Sequence, residues 1–520
     1  MGQERDTGFH TVIWNEPIIY KLGRKGRRGQ LIPQIEKEIK KETRDILSDI
    51  PAEMLRKDLS LPELSEVEVV RHYLRLSQQI FGFDESINIG QGTCSMKYSP
   101  KLNEHLVLYD SRIADVHPSQ DEETIQGILE IAYNLKKALI VLSGMTDFSL
   151  TPRGGTHGVF SNALVIAAYH RRNGEKTERN EIITTAYSHP CNSGAPATAG
   201  FKVIALYPDS ETGCPNIEAL KSVVSKRTAG LMVTDPYDTG VFDPNIKEYI
   251  KTIHEVGGLV AWDSANANSF LGLVRQGDVG ADLVQYNLHK TFSSPHGSYG
   301  PGSAAVGAQK ELADFLPVPI VEYDDEKKRY YLNYGRKYTI GRISGFYGTI
   351  PCILKAYSRL RAIGRENIKQ VSEIAILNNN YLTRKMLEIP GISLPYSGYY
   401  PYRLEQSRFS LQKLKEETGV GTDDANRRIV DYGIESCWTS HHPLIVPEPV
   451  TPEPTESFSK EDVETFAMAF REISKEAYAD PESVKNAPHN CPIHKIDESM
   501  LNDSKKCAMT WRSYIKKTGI

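Results

Sequence analysis

Between residues 180 and 290 the apolar positions follow two alternating spacings. In "NIEALKSVVSKRTAG" Ile217, Leu220 and Val224 fall on one helical face. In "NIKEYIKTIHEVGG" Ile246, Tyr249, Ile250, Ile253 and Val256 repeat the pattern, stopped by Gly257 and Gly258. Short apolar runs without helical spacing follow each helix: "GLMVTDPY", "LVAWDSA" and "ADLVQYNLHK", which read as buried strands. "EIITTAYSHP" reads as an earlier strand and "VFSNALVIAAYH" as an earlier helix. Strands alternating with helices predict an α/β fold built on a mostly parallel sheet covered on both faces. Ligands of such sheets bind at the carboxyl ends of the strands.

Elsewhere the pattern changes. "LPELSEVEVVRHYLRLSQQIFG" has the spacing of an amphipathic helix and precedes the loop "NIGQGTCSMKYSP". Past about residue 350 helices dominate, and the proline-rich strip "HHPLIVPEPVTPEPTES" leads into the helix "SKEDVETFAMAFREISKEAYAD". The expected organisation is an N-terminal arm with helices over 1–115, a large domain over 116–350, and a smaller C-terminal α+β domain with an irregular tail over 351–520. No internal repeat is apparent.

Composition narrows the function classes. The 520 residues are 40% hydrophobic and 25% charged, with a formal net charge of -4, which points toward small-molecule chemistry rather than nucleic acid or a membrane surface. The basic segment "GRKGRRG" reads as a solvated arm or a subunit contact. No apolar stretch approaches the roughly 20 residues of a membrane helix, and the polar start has no signal-peptide core, so a cytoplasmic protein is expected. The seven cysteines are scattered without a CxxC pair, which indicates neither a disulfide framework nor a zinc ribbon. "HNCPIH" matches no closed zinc site, and no metal is assigned.

The candidate chemistry lies at successive strand ends. The glycine-rich "TPRGGTHG" opens a helix whose amides could hold a phosphate; later strands end near His189 and Asn192, near Asp235, Tyr237 and Asp238, and on Asp263. Lys290 follows Asp263 by 27 residues, a helix-length crossover further on. Each feature has a plainer reading: a lysine after a strand is commonly a solvated end, an aspartate there a helix cap, and a histidine a satisfied loop residue. The ordered set selects another. A phosphate loop, an aromatic ring able to stack, a carboxylate and a lysine are the parts of a pyridoxal phosphate site, in which the lysine forms an imine with the cofactor aldehyde and the carboxylate holds the ring nitrogen protonated.

From about residue 15 to 495 the chain resembles the decarboxylating glycine dehydrogenase subunit 2 family, the pyridoxal-phosphate-bearing P-protein of the glycine cleavage system. The resemblance rests on "GRRG", "LPELSEVEVVRHYLRLSQ", "TCSMKYSPKLNE", "AGFKV", "NLHKTFSSPHG", "IGRISGFYG", "PLIVPEP", "EPTES" and "DPESVKNAPH". It implies the fold-type I architecture of pyridoxal phosphate enzymes. It implies Lys290, Asp263 and His189 as catalytic residues, with His189 over the cofactor ring, Ala265 on its other face, and Gly155, Thr156 and His157 at the phosphate. Tyr237 and His289 complete the implied cofactor contacts. Asn192, Arg342, Cys94 and His442 are substrate-side candidates, Arg342 because a guanidinium grips a carboxylate with two bonds. The implied reaction is decarboxylation of glycine with transfer of the aminomethyl group to a lipoyl H-protein. The implied partners are a homologous subunit 1 and a homodimeric or heterotetrameric assembly.

The chain departs from that family's pattern around the site. It reads "YSHPCNSGAPA" where the family reads like "SAHGTNPAS", "TDPYDTG" for "TNPNTLG", "PHGSYGPG" for "PHGGGGPG", and His441 and His442 replace an aromatic pair. Two alternatives therefore stand beside the main reading: a paralogue acting on another amino acid without a lipoyl carrier, and a non-catalytic scaffold subunit, the latter disfavoured by retention of Asp263 and Lys290. A nicotinamide oxidoreductase ranks third, since no GxGxxG follows the first strand of the alternating region.

Overall fold

A computed structural model describes the chain except for residues 1–8, 28, 30–32, 44–45, 57–60, 81–84, 91–96, 176, 295–299, 399, 436, 443–444, 497–502, 504–509 and 519–520. It divides into two compact units: Met1–Ser86 with Asp431–Gly433 and Asn486–Ile520, and Ile87–Val430 with Ile434–Lys485.

In the smaller unit the amphipathic helix α1 (Glu66–Ser77) begins at a capping box, with the Ser65 amide donating to Glu68 Oε2 at 2.9 Å. Glu16 fixes its buried side by accepting from His72 Nδ1 at 2.7 Å and Arg75 Nη1 at 3.1 Å. The tail is less irregular than its composition suggests. Trp511–Thr518 is helical, and Trp511 stacks on Tyr20 at 4.4 Å.

The larger unit is built on a seven-stranded sheet in the order β1-β7-β6-β5-β4-β2-β3. The strands are β1 (Asp147–Ser149), β2 (Glu181–Thr185), β3 (Lys202–Leu206), β4 (Thr228–Val233), β5 (Leu259–Ser264), β6 (Leu283–Asn287) and β7 (Ala304–Ala308). Neighbours from β3 through β6 pair in parallel, and β7 runs antiparallel to both β1 and β6. The expected mostly parallel sheet is present. Every residue of β2, β4, β5, β6 and β7 is buried, which is why those segments read as unbroken apolar runs.

The helices cover both faces. On one, α2 (Gln126–Ser143) and the helix Ile246–Glu255 place Leu129, Leu135, Leu139, Tyr249, Ile250 and Ile253 against Val260, Trp262, Val284 and Tyr286. On the other, α3 (Gly155–Arg172) packs Val159, Ala163 and Ile166 on Ile182, Met232 and Leu283. Each such large aliphatic side chain contributes about 1.5–3 kcal/mol of burial. The step from β5 to Lys290 differs from expectation. It runs through turns with one four-residue helix, Gln276–Val279, because Gly272 and Gly280 take positive φ there. Beyond the sheet, Ile368–Met386 and Lys460–Ala479 form long helices, and Phe409–Ser410 pairs with Pro449–Val450 in a two-stranded ribbon. Among the described residues no helix is long and apolar enough to cross a membrane.

Candidate active site

A cavity of about 210 Å³ lies at the carboxyl ends of β4, β5 and β6, and each wall comes from a different piece of chain. One end is the start of α3. Gly154 caps this 18-residue helix with extended backbone and no side-chain cap, and its first turn carries no acidic residue, so the leading amides lack intrahelical partners. Two glycines bring the helix close to the sheet: an added Cβ at Gly155 would lie 2.9 Å from Asn287 Nδ2, and one at Gly158 would strike Gln285. Gly155 and Thr156 line the cavity, which places the positive end of the helix dipole on it. His157 does not line this cavity. Its Nδ1 accepts from the Arg153 amide at 3.3 Å, and it lines a neighbouring pocket with Phe160.

Asp263 in β5 forms another wall. Its Oδ1 accepts the Ala265 amide at 3.0 Å and its Oδ2 accepts Asn192 Nδ2 at 2.9 Å. Asn192 Nδ2 also reaches Thr234 Oγ1 at 3.1 Å. Burial pushes the Asp263 carboxyl up, against the lowering effects of Asn192, the Ala265 amide and the charge of Lys290. The fully buried Asn192 therefore orients Asp263, and its donor is committed there rather than to a substrate.

Lys290 sits three residues beyond β6, with its amide bound to the Asn287 carbonyl. The residue is only 8% exposed and lines the cavity, and its ammonium makes no hydrogen bond or ion pair among the described residues. A buried cation without a partner is costly unless chemistry requires it. His189 lines the same cavity. Burial, then the charges of Lys290 and His441, hold its pKa down at about 4, so its imidazole is neutral near pH 7. His189 Nδ1 accepts the Cys191 amide at 3.1 Å, and His441 meets its ring edge to face at 4.5 Å. His442, the sequence candidate, instead uses Nε2 to reach the Ser188 carbonyl at 2.8 Å.

The remaining sequence candidates divide. Ala265 and His289 line the cavity, and His289 Nδ1 lies 2.7 Å from the Ser303 carbonyl and 2.9 Å from the Ser303 amide. Tyr237 does not reach it: the ring is fully buried against Tyr187, and its hydroxyl donates to Asp243 Oδ2 at 2.7 Å. Asp235 and Asp238, on either side of it, face the cavity instead. Arg342 lies outside, 5.9 Å above the Tyr334 ring. Cys94 falls outside the described residues. Among the described residues no three His, Cys, Asp or Glu side chains gather as a metal ion would need.

Several contributors were not singled out in the sequence. Glu405 lines the cavity, Glu453 accepts Asn266 Nδ2 and Asn268 Nδ2 at 2.6 Å each, and the buried guanidinium of Arg408 lies 3.6 Å from Asp238. Glu453 belongs to the quoted "EPTES" motif, the one signal that pointed toward it.

Residues 371–494 match the family described as "Glycine dehydrogenase, C-terminal domain". The "Probable glycine dehydrogenase (decarboxylating) subunit 2" of Pyrococcus furiosus is 44% identical over 507 residues, covering 97% of this chain and 98% of that one. The protein of the same description from Caldanaerobacter subterraneus subsp. tengcongensis is 43% identical over 486 residues, covering 92% and 96%. Among solved structures, an inhibitor-bound glycine decarboxylase (P-protein) of the glycine cleavage system aligns with a TM-score of 0.67 at 19% identity, over 85% of this chain and 99% of that one. A NifS-like protein aligns with a TM-score of 0.56 at 14% identity, over 74% and 98%. The structural likenesses speak for the fold, which is the fold-type I arrangement.

Proposed function

The chain belongs to the glycine dehydrogenase (decarboxylating) subunit 2 family, and from that premise we propose that it is the pyridoxal-phosphate-carrying subunit of an enzyme that decarboxylates glycine and passes the aminomethyl group to a lipoyl carrier protein. The observation that carries this reading is Lys290, a buried amine without a partner among the described residues at the mouth of β6.

The residues present fit the cofactor. When bound, pyridoxal phosphate supplies a conjugated ring that accepts the electron pair left behind by departing carbon dioxide. Lys290 Nζ would hold it covalently. Asp263, kept in line by Asn192 and the Ala265 amide, would retain a proton on the ring nitrogen, and that cation would reverse the upward push that burial gives its carboxyl. The leading amides of α3 around Gly155 and Thr156 would take the phosphate. Neutral His189 would cover one ring face without adding charge, and the small side chain of Ala265 leaves room on the other. Closure of this cavity over substrate would keep water from the reacting carbon.

The relatives' description as subunit 2 supports a subunit 1 as partner; a homodimeric or heterotetrameric assembly and a cytoplasmic location are part of the same proposal. The test is an absorption spectrum of the purified chain with pyridoxal phosphate, repeated with glycine and a panel of amino acids, beside Lys290→Ala. The expected result is a visible cofactor band that glycine perturbs and Lys290→Ala abolishes, with labelled carbon dioxide released in the presence of subunit 1 and the lipoyl carrier. A band that only another amino acid perturbs overturns glycine as the substrate, and no band at all overturns the enzyme.

A further inference from the structure

One acid in the cavity comes from the segment leading into the two-stranded ribbon rather than from the sheet. Phe409 pairs with Val450 in antiparallel register. Contacts continue past the ribbon, with Arg408 Nε donating to Thr451 Oγ1 at 3.1 Å and the Ser407 amide to the Pro452 carbonyl at 3.3 Å. The same course brings Glu405 alongside Glu453, both fully buried.

Two neighbouring buried carboxyls do not both ionise, and their hydrogen bonds decide which keeps the proton. Glu453 Oε1 accepts two amide donors, from Asn266 and Asn268, which favour its charged form and limit the rise that burial causes to about 7. Glu405 accepts only the Ser269 hydroxyl among the described residues, at 3.2 Å on Oε2, and lines the cavity beside Lys290. Burial and the charge of Glu453 push the Glu405 carboxyl well up, which makes it the member of the pair that favours the proton. Asp235, another cavity carboxyl that burial pushes up, is set against Asp243, whose backbone amide donates to it at 3.0 Å.

We propose that Glu405 is the general acid that supplies the proton consumed when the aminomethyl group passes to a cyclic disulfide acceptor, with Glu453 as the positioning residue that keeps that proton on it. This rests on the reaction read above. In that step the electron pair freed at the amino-acid carbon by loss of carbon dioxide forms a carbon–sulfur bond. The sulfur–sulfur bond breaks, its pair leaves on the second sulfur, and that thiolate takes the proton from Glu405 to become a thiol. Carbon is oxidised, the disulfide is reduced, and Glu405 is reprotonated from solvent.

Two measurements test it. Infrared spectra of the full chain with carbon-13 in its glutamate side-chain carboxyls should show a neutral-acid carbonyl band at pH 7.5 that Glu405→Gln removes; a spectrum unchanged by Glu405→Gln overturns the proposal without any assay of turnover. In the complete loaded enzyme, Glu405→Gln should lower transfer to the lipoyl disulfide on the order of 100-fold. Exchange of the glycine carboxyl with labelled bicarbonate, which protonates no sulfur, should fall at least ten times less. Equal losses in transfer and exchange make Glu405 merely structural and overturn it. No exchange in the unaltered enzyme overturns the glycine reading itself, even with the infrared band present.

Discussion

Asn192→Ala separates two roles for a residue that sequence places on the substrate side and the fold places behind Asp263. Its side-chain amide donates to Asp263 Oδ2 at 2.9 Å and to Thr234 Oγ1 at 3.1 Å, and the side chain is fully buried. A hydrogen bond to a buried carboxylate contributes about 1.5–3 kcal/mol. Removing it takes away one of the influences that hold the Asp263 carboxyl down against burial, so that carboxyl rises further. A carboxyl less willing to ionise is a poorer partner for a protonated ring nitrogen. The affinity for pyridoxal phosphate should therefore fall about 10–100-fold, with the KM for glycine unchanged once cofactor saturates. The assay is cofactor titration followed by absorbance, then steady-state turnover at saturating cofactor. Unchanged cofactor affinity with a raised KM for the amino acid would refute the reasoning and return Asn192 to the substrate.

Other perturbations follow from the same geometry. His189 has its pKa lowered from 6.5 to about 4, so its neutral form is favoured in the folded state; the stability it contributes is complete above pH 6.5 and lost as pH falls toward 4. That lowering corresponds to about 3 kcal/mol, and the difference in denaturation midpoint between the unaltered chain and His189→Gln should shrink between pH 7.5 and pH 4, whereas a pH-independent difference would count against it. Gly240 has φ +78°, and an added Cβ would run into the Gln406 carbonyl, so Gly240→Ala should destabilise by roughly 2 kcal/mol or more and lower the thermal midpoint; an unchanged midpoint would contradict the close approach. His442→Ala removes the contact to the Ser188 carbonyl and not a cavity wall, so cofactor affinity should change less than with His441→Ala, as cofactor titration would reveal.

Local order carried much of the fold. The helix at Ile246–Glu255 and the strand at Leu259–Ser264 follow directly from a 3.6-residue spacing, a glycine stop and an apolar run. The strand ends bearing Asp263 and Lys290 were legible for the same reason. Side-chain direction after a strand was not. Whether Tyr237 faces the cavity depends on Asp243, six residues on and around a turn, which takes its hydroxyl. Adjacent histidines divide likewise: backbone geometry turns His441 toward His189 and His442 toward Ser188. Glu405 and Glu453 were hidden for a different reason. They reach the site through pairing between segments about 40 residues apart, and no local periodicity records that pairing.

The polarity of the cavity joins these pieces. At one end the leading amides of α3 offer partial positive charge with no acidic residue in the first turn to cancel it. At another wall Asp263 is buried with only neutral donors in hydrogen-bonding contact. A small molecule that satisfies both must be anionic at one end and cationic at the other, and a ring bearing a phosphate and a protonated nitrogen meets that requirement. Between them stand neutral His189 and the buried amine of Lys290, unpartnered among the described residues, so a covalent bond to the amine would remove the need to bury it charged. Asp238, 3.6 Å from buried Arg408, adds a charge where the related family carries an uncharged residue, and the guanidinium beside it limits that addition. The departures at Asp235 and Asp238 thus fall on the cavity wall, that at Tyr237 falls behind it, and Asp263 and Lys290 are retained.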